Sequence, residues 1–339
     1  MAADSALDVA SVGAGIAGLI CSRHLNQHGF RTAIFDKSRG VGGRLATRRV
    51  DSTPIDHGVR YIEDQGSYTQ QLIQQMVAAG ILSPAAAVQR PNPSAPATET
   101  AQLYTAPQGM TAIAKALAAD LTLHRQHRVE GLEPHAGHWR LRLVAADQPQ
   151  AMRATAVVLA IPAPQILPLL QPLSDEIKAQ LVPAIEAVTF DPSFTVMVGY
   201  QAPPEPYPYL GLRSPTPDLD WIGFEAQKRA MPFSGLVLQS SAEFAHRAID
   251  RMSPNAIADE LVASATTLKL IADLGVPQWH QTHRWRYAFC RRPHPQTCLT
   301  VQGPLPLACC GDWCGGGTIE HAMQSGQAAA DAIKSVLRP

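Results

Sequence analysis

A chain that sets Gly13, Gly15 and Gly18 between two short apolar runs has few ways to fold. The first run carries Val9 and Val12. The second is Thr32-Ala33-Ile34-Phe35, and it ends in Asp36. The order is strand, glycine turn, helix, strand, acid, which predicts the βαβ unit of a Rossmann-type α/β fold. Gly13 permits the tight turn, Gly15 lets the backbone approach a pyrophosphate, and Gly18 lets the helix pack close to the strand. Ile16 and Ala17 open that helix. Its N-terminus offers unpaired N–H groups and a partial positive charge to phosphate. Asp36 stands where a carboxylate accepts hydrogen bonds from ribose hydroxyls. The fingerprint specifies a dinucleotide and leaves FAD and a nicotinamide cofactor equally open.

Charge narrows the partners. The 339 residues include 28 basic and 28 acidic ones, a formal net charge of zero. That gives no electrostatic footprint for nucleic acid or an anionic membrane. No apolar run approaches the ~20 residues of a spanning helix. The N-terminal apolar run carries the fingerprint itself, so no cleaved leader and a cytoplasmic location are expected. Of the six cysteines, only Cys21 precedes Cys290. Cys310 and Cys314 lack a second pair at zinc spacing, so buried reduced thiols and no metal are expected. The pattern leaves the oligomeric state open.

Directly after Asp36 and Lys37 comes a second glycine cluster, Arg39-Gly40-Val41-Gly42-Gly43-Arg44. It is not part of a nicotinamide fingerprint. It fits a loop running beside the pyrophosphate and flavin of FAD, where only glycine avoids a clash. Arg44 is placed to neutralise a phosphate. Near the other end, Leu307 to Cys310 reads as a strand leading to Gly311-Asp312. The turn Trp313-Cys314-Gly315-Gly316-Gly317 follows, and then a helix from Thr318 and Ile319. An acid after a strand can bond ribityl hydroxyls. The following helix can aim its dipole at the flavin edge that gains negative charge on reduction.

The wording of these stretches resembles the flavin-containing amine oxidase superfamily, and within it the renalase-like branch. The likeness rests on GAGIAG, on FDKSRGVGGRLATRR, on Asp56-His57-Gly58-Val59-Arg60-Tyr61 and on GDWxxGGxxExAxxSG. It implies a two-domain FAD protein of the glutathione-reductase and amine-oxidase type, with a parallel sheet and a β-rich α+β substrate domain. In that resemblance His57 to Tyr61 approaches the flavin, and the Val129 backbone lies near the adenine. The expected division is 1–65, 105–165 and 295–339 for the FAD-binding domain, with 66–104 and 166–294 for the substrate domain.

The middle of the chain reads in keeping. Helices are predicted over 68–79, 164–187 and 254–275, and proline breaks the stretch 90–100. Strands are predicted over 121–129, 139–144, 194–200, 219–224, 236–240 and 278–289. The continuous apolar run 156–162 predicts a central parallel strand buried on both faces. His283-Arg284-Trp285-Arg286-Tyr287-Ala288 is similar to a renalase-like segment. Alternation sends Arg284 and Arg286 to one face and Trp285 and Tyr287 to the other. Either face can be the one that meets substrate. Lys228 resembles the position whose lysine, in amine oxidases, holds a water near the flavin.

The resemblance implies an oxidase that takes hydride from the 2- and 6-dihydro isomers of NAD(P)H and gives the electrons to O2, yielding H2O2. Its partners are then a reduced nicotinamide dinucleotide and O2. The alternatives are an amine oxidase acting on small amines and a FAD-dependent desaturase-like dehydrogenase. No nucleophile is required, and the substrate-side candidates are His57, Arg60, Lys228, Arg284, Arg286, Tyr287 and Trp313.

Overall fold

In the computed structural model, which describes residues 6–89, 102–203, 207–301, 303 and 305–338, the strand Leu7–Val12 lies between two parallel neighbours. These are Thr32–Asp36 on one side and Gln148–Leu159 on the other. Leu123–Arg125 and Leu307–Cys309 extend the parallel sheet at its two edges. Neighbouring parallel strands need helical crossovers, and the sheet's faces must then be covered. Helix Ile16–Gln27 and the closing helix Ile319–Leu337 cover one face, burying Ala17, Cys21, Leu25, Ala322, Ala329 and Ile333 with Val9, Ala156 and Val158. The strand Gln148–Leu159 serves two structures. Its first half pairs antiparallel with His138–Ala145, which pairs in turn with His127–His135, and its second half is buried on both faces.

The chain divides into two compact units. One takes residues up to Gly43, Ala114–Thr189 and everything from Cys290; the other takes Arg44–Ile113 and Phe190–Phe289. Residues 44–65 and 105–113, grouped with the nucleotide domain in the division drawn from sequence, thus make their contacts in the β-rich unit. That unit is built on a sheet ordered Trp279–Arg292, Thr189–Tyr200, Ser234–Ser240, Leu219–Phe224, Gly211–Thr216 and Val88–Gln89. Helix Pro254–Thr266 packs Ile257, Leu261 and Ala265 into a core with Val196, Val198, Ile222 and Leu238. A hairpin absent from the sequence reading, Thr47–Val50 with Thr53–Asp56, turns through Asp51 and Ser52 at φ 45 and 71. Two successive positive φ values match the twist of the strands they join.

Several elements differ from the pattern. The helix expected over 164–187 is two, Ala163–Leu170 and Asp175–Glu186. Pro172 removes an N–H between them, and Ser174 takes extended backbone to start the second. The helix expected over 254–275 breaks after Thr266, where Thr266 and Thr267 turn their hydroxyls back to the Ala263 and Ser264 carbonyls. The strand expected over 121–129 is split by Gln126 at φ 58, so Leu123–Arg125 joins the parallel sheet and His127–His135 the meander. The stretch 90–100, read as proline-broken, lies outside the described residues. No helix among the described residues is long and apolar enough to cross a membrane.

The two covering helices touch where the closing helix has no side chain. A Cβ on Gly326 would lie 2.3 Å from the Ala17 carbonyl oxygen. Backbone cannot yield cheaply there, so Gly326→Val is expected to lower unfolding stability by about 1–3 kcal/mol, read as a fall in the urea midpoint with unchanged slope.

Candidate active site

The first unit brings its glycines together. A Cβ on Gly13 would sit 2.4 Å from the Ala160 oxygen, and one on Gly18 would sit 2.1 Å from the Gly13 oxygen. Those two positions are glycine for the protein's own packing. Gly15 is different: a Cβ there meets no atom within 4 Å, and its φ of −72° suits any residue. The open space beside it suits close approach by a ligand, at the N-terminus of helix Ile16–Gln27, which has no side-chain cap. The second glycine loop lies against the first. Gly15 and Gly42 form a parallel bridge, Gly42 N–H donates to the Ala14 carbonyl at 2.8 Å, and Gly43 turns through φ 55.

Asp36 is held from both sides, with Ala14 N–H on Oδ2 and Ser38 N–H on Oδ1, each at 2.7 Å. Each carboxylate oxygen has two lone pairs, so acceptor capacity remains for ribose hydroxyls. Lys37 reaches out to Gln165 Oε1 at 3.2 Å, and Val129 faces Leu143 in the meander. At the C-terminal end Gly311, at φ 157, donates its N–H to Ser325 Oγ at 3.0 Å, and Asp312 is buried beside it. A Cβ on Gly317 would lie 3.0 Å from the Cys290 carbonyl oxygen. Thr318 bonds His321 Nδ1 at 2.9 Å instead of capping the helix that begins at Ile319. The helix N-terminus keeps its donors for another acceptor. These two uncapped helix starts, the glycine approach and the oriented carboxylate fit a pyrophosphate, a ribose and a flavin.

Trp313 does not belong on a substrate surface. It is fully buried and donates its indole N–H to the Ile161 carbonyl at 3.0 Å, pinning the glycine turn to the end of strand Gln148–Leu159. Cys21, Cys309, Cys310 and Cys314 are buried thiols, and burial pushes each of them up. No group of metal-ligating side chains occurs among the described residues.

The second unit builds its candidates around the segment from His57 to Tyr61. His57 N–H donates to the Ala46 carbonyl at 3.1 Å, and Val59 N–H to that of Arg44 at 2.9 Å. Gln239 donates to the Gly58 carbonyl at 2.7 Å and accepts from Arg60 Nε at 2.6 Å. Arg60 also binds Asp220 and lies over the Trp221 ring, while Tyr61 receives a hydrogen bond from Arg213. Arg60 is thus committed to holding its own segment. Arg44 turns one amine to the Ala288 carbonyl at 3.0 Å, bracing the strand Trp279–Arg292.

Lys228 is likewise committed. Its side chain is 1% exposed, with Nζ 2.7 Å from Glu225 Oε1 and 3.4 Å from Asp56 Oδ2. Arg229 binds the same two carboxylates. Burial opposes ionisation of Asp56, but Lys228 and Arg229, with bonds from Thr47 and the Met110 amide, hold its carboxyl below the usual range. The sequence reading missed this cluster, since Asp56 and Glu225 carry no spacing that ties them together. Arg284 and Arg286 are solvent-exposed and share Asp250 at 2.9 and 2.6 Å.

The opposite face of that strand carries rings. Trp285 donates its indole N–H to the His57 carbonyl at 3.0 Å, and its ring stacks on His57 at 5.6 Å and 23°. His283, which the sequence reading passed over, meets Trp285 at 4.2 Å and His57 at 4.9 Å. Tyr287 meets Phe190 edge-on at 5.7 Å. Burial, then His283 and Arg48, push His57 down to about 4, and burial with Arg48 lowers His283. Both imidazoles are neutral at pH 7. The only signal in the sequence was the alternation His-x-Trp-x-Tyr.

With this geometry in place, the chain belongs to the flavin containing amine oxidoreductase family, whose model matches residues 94–334. An NAD(P)-binding Rossmann-like domain model matches residues 12–78. FAD is its cofactor. Mouse renalase (Mus musculus) is 25% identical over 301 residues, covering 82% of this chain and 83% of that protein. Cyclohexylamine oxidase from Brevibacterium oxydans shares the fold with a TM-score of 0.71 at 14% identity, covering 98% of this chain and 100% of that one. Putrescine oxidase does so at 0.70 and 13%, over 98% and 99% of the two chains.

Two outcomes are expected. Gly15→Val should fold with the far-UV circular dichroism of the parent yet retain less than about a tenth of its flavin absorbance, because the added side chain meets ligand and not protein. The second concerns pH. An unfolded His57 takes its proton near 6.5 and the folded one only near 4. The folded state is therefore favoured fully above 6.5 and loses stability as pH falls from 6.5 to 4. His57→Gln should flatten that limb by on the order of 2–3 kcal/mol, seen in urea midpoints at pH 7.5 and 4.5.

Proposed function

We propose that the chain is a renalase-like, FAD-dependent oxidase that takes hydride from the 2- and 6-dihydro isomers of NAD(P)H, with O2 reduced to H2O2. FAD is held by Gly13, Gly15, Ile16, Ala17, Gly18, Asp36, Lys37 and Gly43 at its dinucleotide end. Gly311, Asp312, Gly317, Thr318 and Ile319 serve the flavin end. Bound FAD supplies the hydride acceptor and the two-electron path to O2. One hydride, one O2 and one solvent proton account for the pyridinium and the peroxide.

The observation that carries this reading is the ring face of strand Trp279–Arg292. His283, Trp285 and Tyr287 share one face of the strand, with the buried His57 ring packed against His283 and Trp285, so that face offers a planar substrate one imidazole and two larger rings. A dihydropyridine becomes aromatic by losing hydride alone, so it needs no general base. His57, protonated only near pH 4, is a weak one at pH 7. The charge on Arg48 acts on both imidazoles. Positive charge there suits a phosphate-bearing substrate and opposes an ammonium ion. The six cysteines, all free thiols, accord with a reducing cytoplasm.

Anaerobic mixing of the yellow protein with the 2- or 6-dihydro isomers should bleach the flavin within seconds, and reoxygenation should yield one H2O2 per flavin reduced. Cyclohexylamine, putrescine and benzylamine should bleach it at least about a hundredfold more slowly. Fast bleaching by an amine, with none by the dihydro isomers, defeats the proposal.

A further inference from the structure

We infer that Arg48, steered by Gln281, is an anion-holding subsite at the end of the ring face, taking the phosphate groups of a dinucleotide whose planar end lies on the rings. The inference deepens the proposed function and rests on it for the identity of the ring.

Arg48 starts from a covered position. It is opposite Ile55 in the hairpin, and directly opposed residues of an antiparallel pair project to the same face. Ile55 is fully buried with Met197 and Val237, and Val50 and Trp279 pack on the same cluster. The aliphatic stem of Arg48 therefore begins beside the core, while the residue as a whole is exposed. Its Nη1 donates to Gln281 Oε1 at 3.0 Å. By strand alternation Gln281 shares a face with His283, Trp285 and Tyr287. The guanidinium is thus fixed in line with the rings.

Its partner is the neutral side-chain amide of Gln281, whereas Arg49, Arg125 and Arg338 donate to backbone carbonyls. Six other surface arginines have their charge cancelled by a carboxylate: Arg31 with Asp8, Arg128 with Glu130, Arg142 with Glu133, Arg247 with Asp218, and Arg284 and Arg286 with Asp250. Arg48 forms no ion pair among the described residues. An amide oxygen orients a guanidinium without cancelling its charge, and one bonded N–H leaves four donors for an anion. The uncancelled charge also reaches both neighbouring imidazoles, adding to the burial that lowers them. A phosphate suits this fork, since planar bidentate donation is what arginine offers over lysine.

The test compares a ligand with phosphates to one without. Arg48→Met keeps the stem and removes the charge, Arg48→Lys keeps the charge and loses the fork, and Gln281→Leu removes the steering amide. Dissociation constants are read from anaerobic flavin bleaching by 6-dihydro-NAD and by 6-dihydronicotinamide riboside. Isothermal calorimetry gives them for NAD+. Arg48→Met should weaken both dinucleotides about tenfold, about 1.4 kcal/mol, and reduce the salt dependence of their binding. The riboside should bind equally to parent and variant. Arg48→Lys should recover part of the loss, and Gln281→Leu should weaken the dinucleotides about threefold. Equal weakening of riboside and dinucleotide, or none of either, overturns the subsite, as does parent protein that binds no NAD+. Parent protein that binds NAD+ through Arg48 but is bleached by neither dihydro form keeps the subsite and overturns the oxidase reading.

Discussion

The nucleotide-binding unit depends on one close approach of backbone to backbone. At Gly18 the first helix passes so near the Gly13 carbonyl that a Cβ would stand 2.1 Å from its oxygen. That contact fixes where the helix begins and therefore where its uncapped N–H groups point. It also places Ala14 N–H to orient Asp36 and the Ala14 carbonyl to receive Gly42. The closing helix repeats the device at Gly326 against Ala17. Dense packing of this kind leaves no room for gradual adjustment, so one misplaced methyl displaces a helix and not a side chain.

The β-rich unit is organised by charge instead. Asp56, Glu225, Lys228 and Arg229 bury two negative and two positive side chains together. Removing one member of such a set leaves an uncompensated buried charge, which costs about 3–5 kcal/mol. The cluster is anchored further by Thr47 and the Met110 amide on Asp56, and by Arg229 on the Pro54 carbonyl. His57 follows Asp56 directly. The position of its ring against His283 and Trp285 is thereby tied to that buried cluster.

This division explains which candidates are spent on protein partners. Arg60, Lys228 and Trp313 are chemically able residues, but each is saturated by protein partners: Asp220 and Gln239, Glu225 and Asp56, and the Ile161 carbonyl. Arg284 and Arg286 are held at the solvent face by Asp250. The face of strand Trp279–Arg292 that includes His283, a residue that sequence motifs did not mark, is the one on which the proposed function rests.

Local chemistry determined the βαβ start, the parallel run at 156–162 and the Gly-Asp turn. Each follows from sterics or periodicity within a dozen residues: glycine where a Cβ cannot fit, apolar runs where both faces are buried. The two-domain FAD architecture and the family were legible only through the resemblance that the wording of these stretches carries. Tertiary structure alone decided which unit claims residues 44–65, which face of strand Trp279–Arg292 carries rings, and which charged side chains are spent on one another. Asp56 and Glu225 stand 169 positions apart, as the hydrogen bond between them records. Ion pairs and ring contacts of that range leave no local periodicity. They exist only once the sheet has brought the strands together, and a charge's role is set by which partner it meets there.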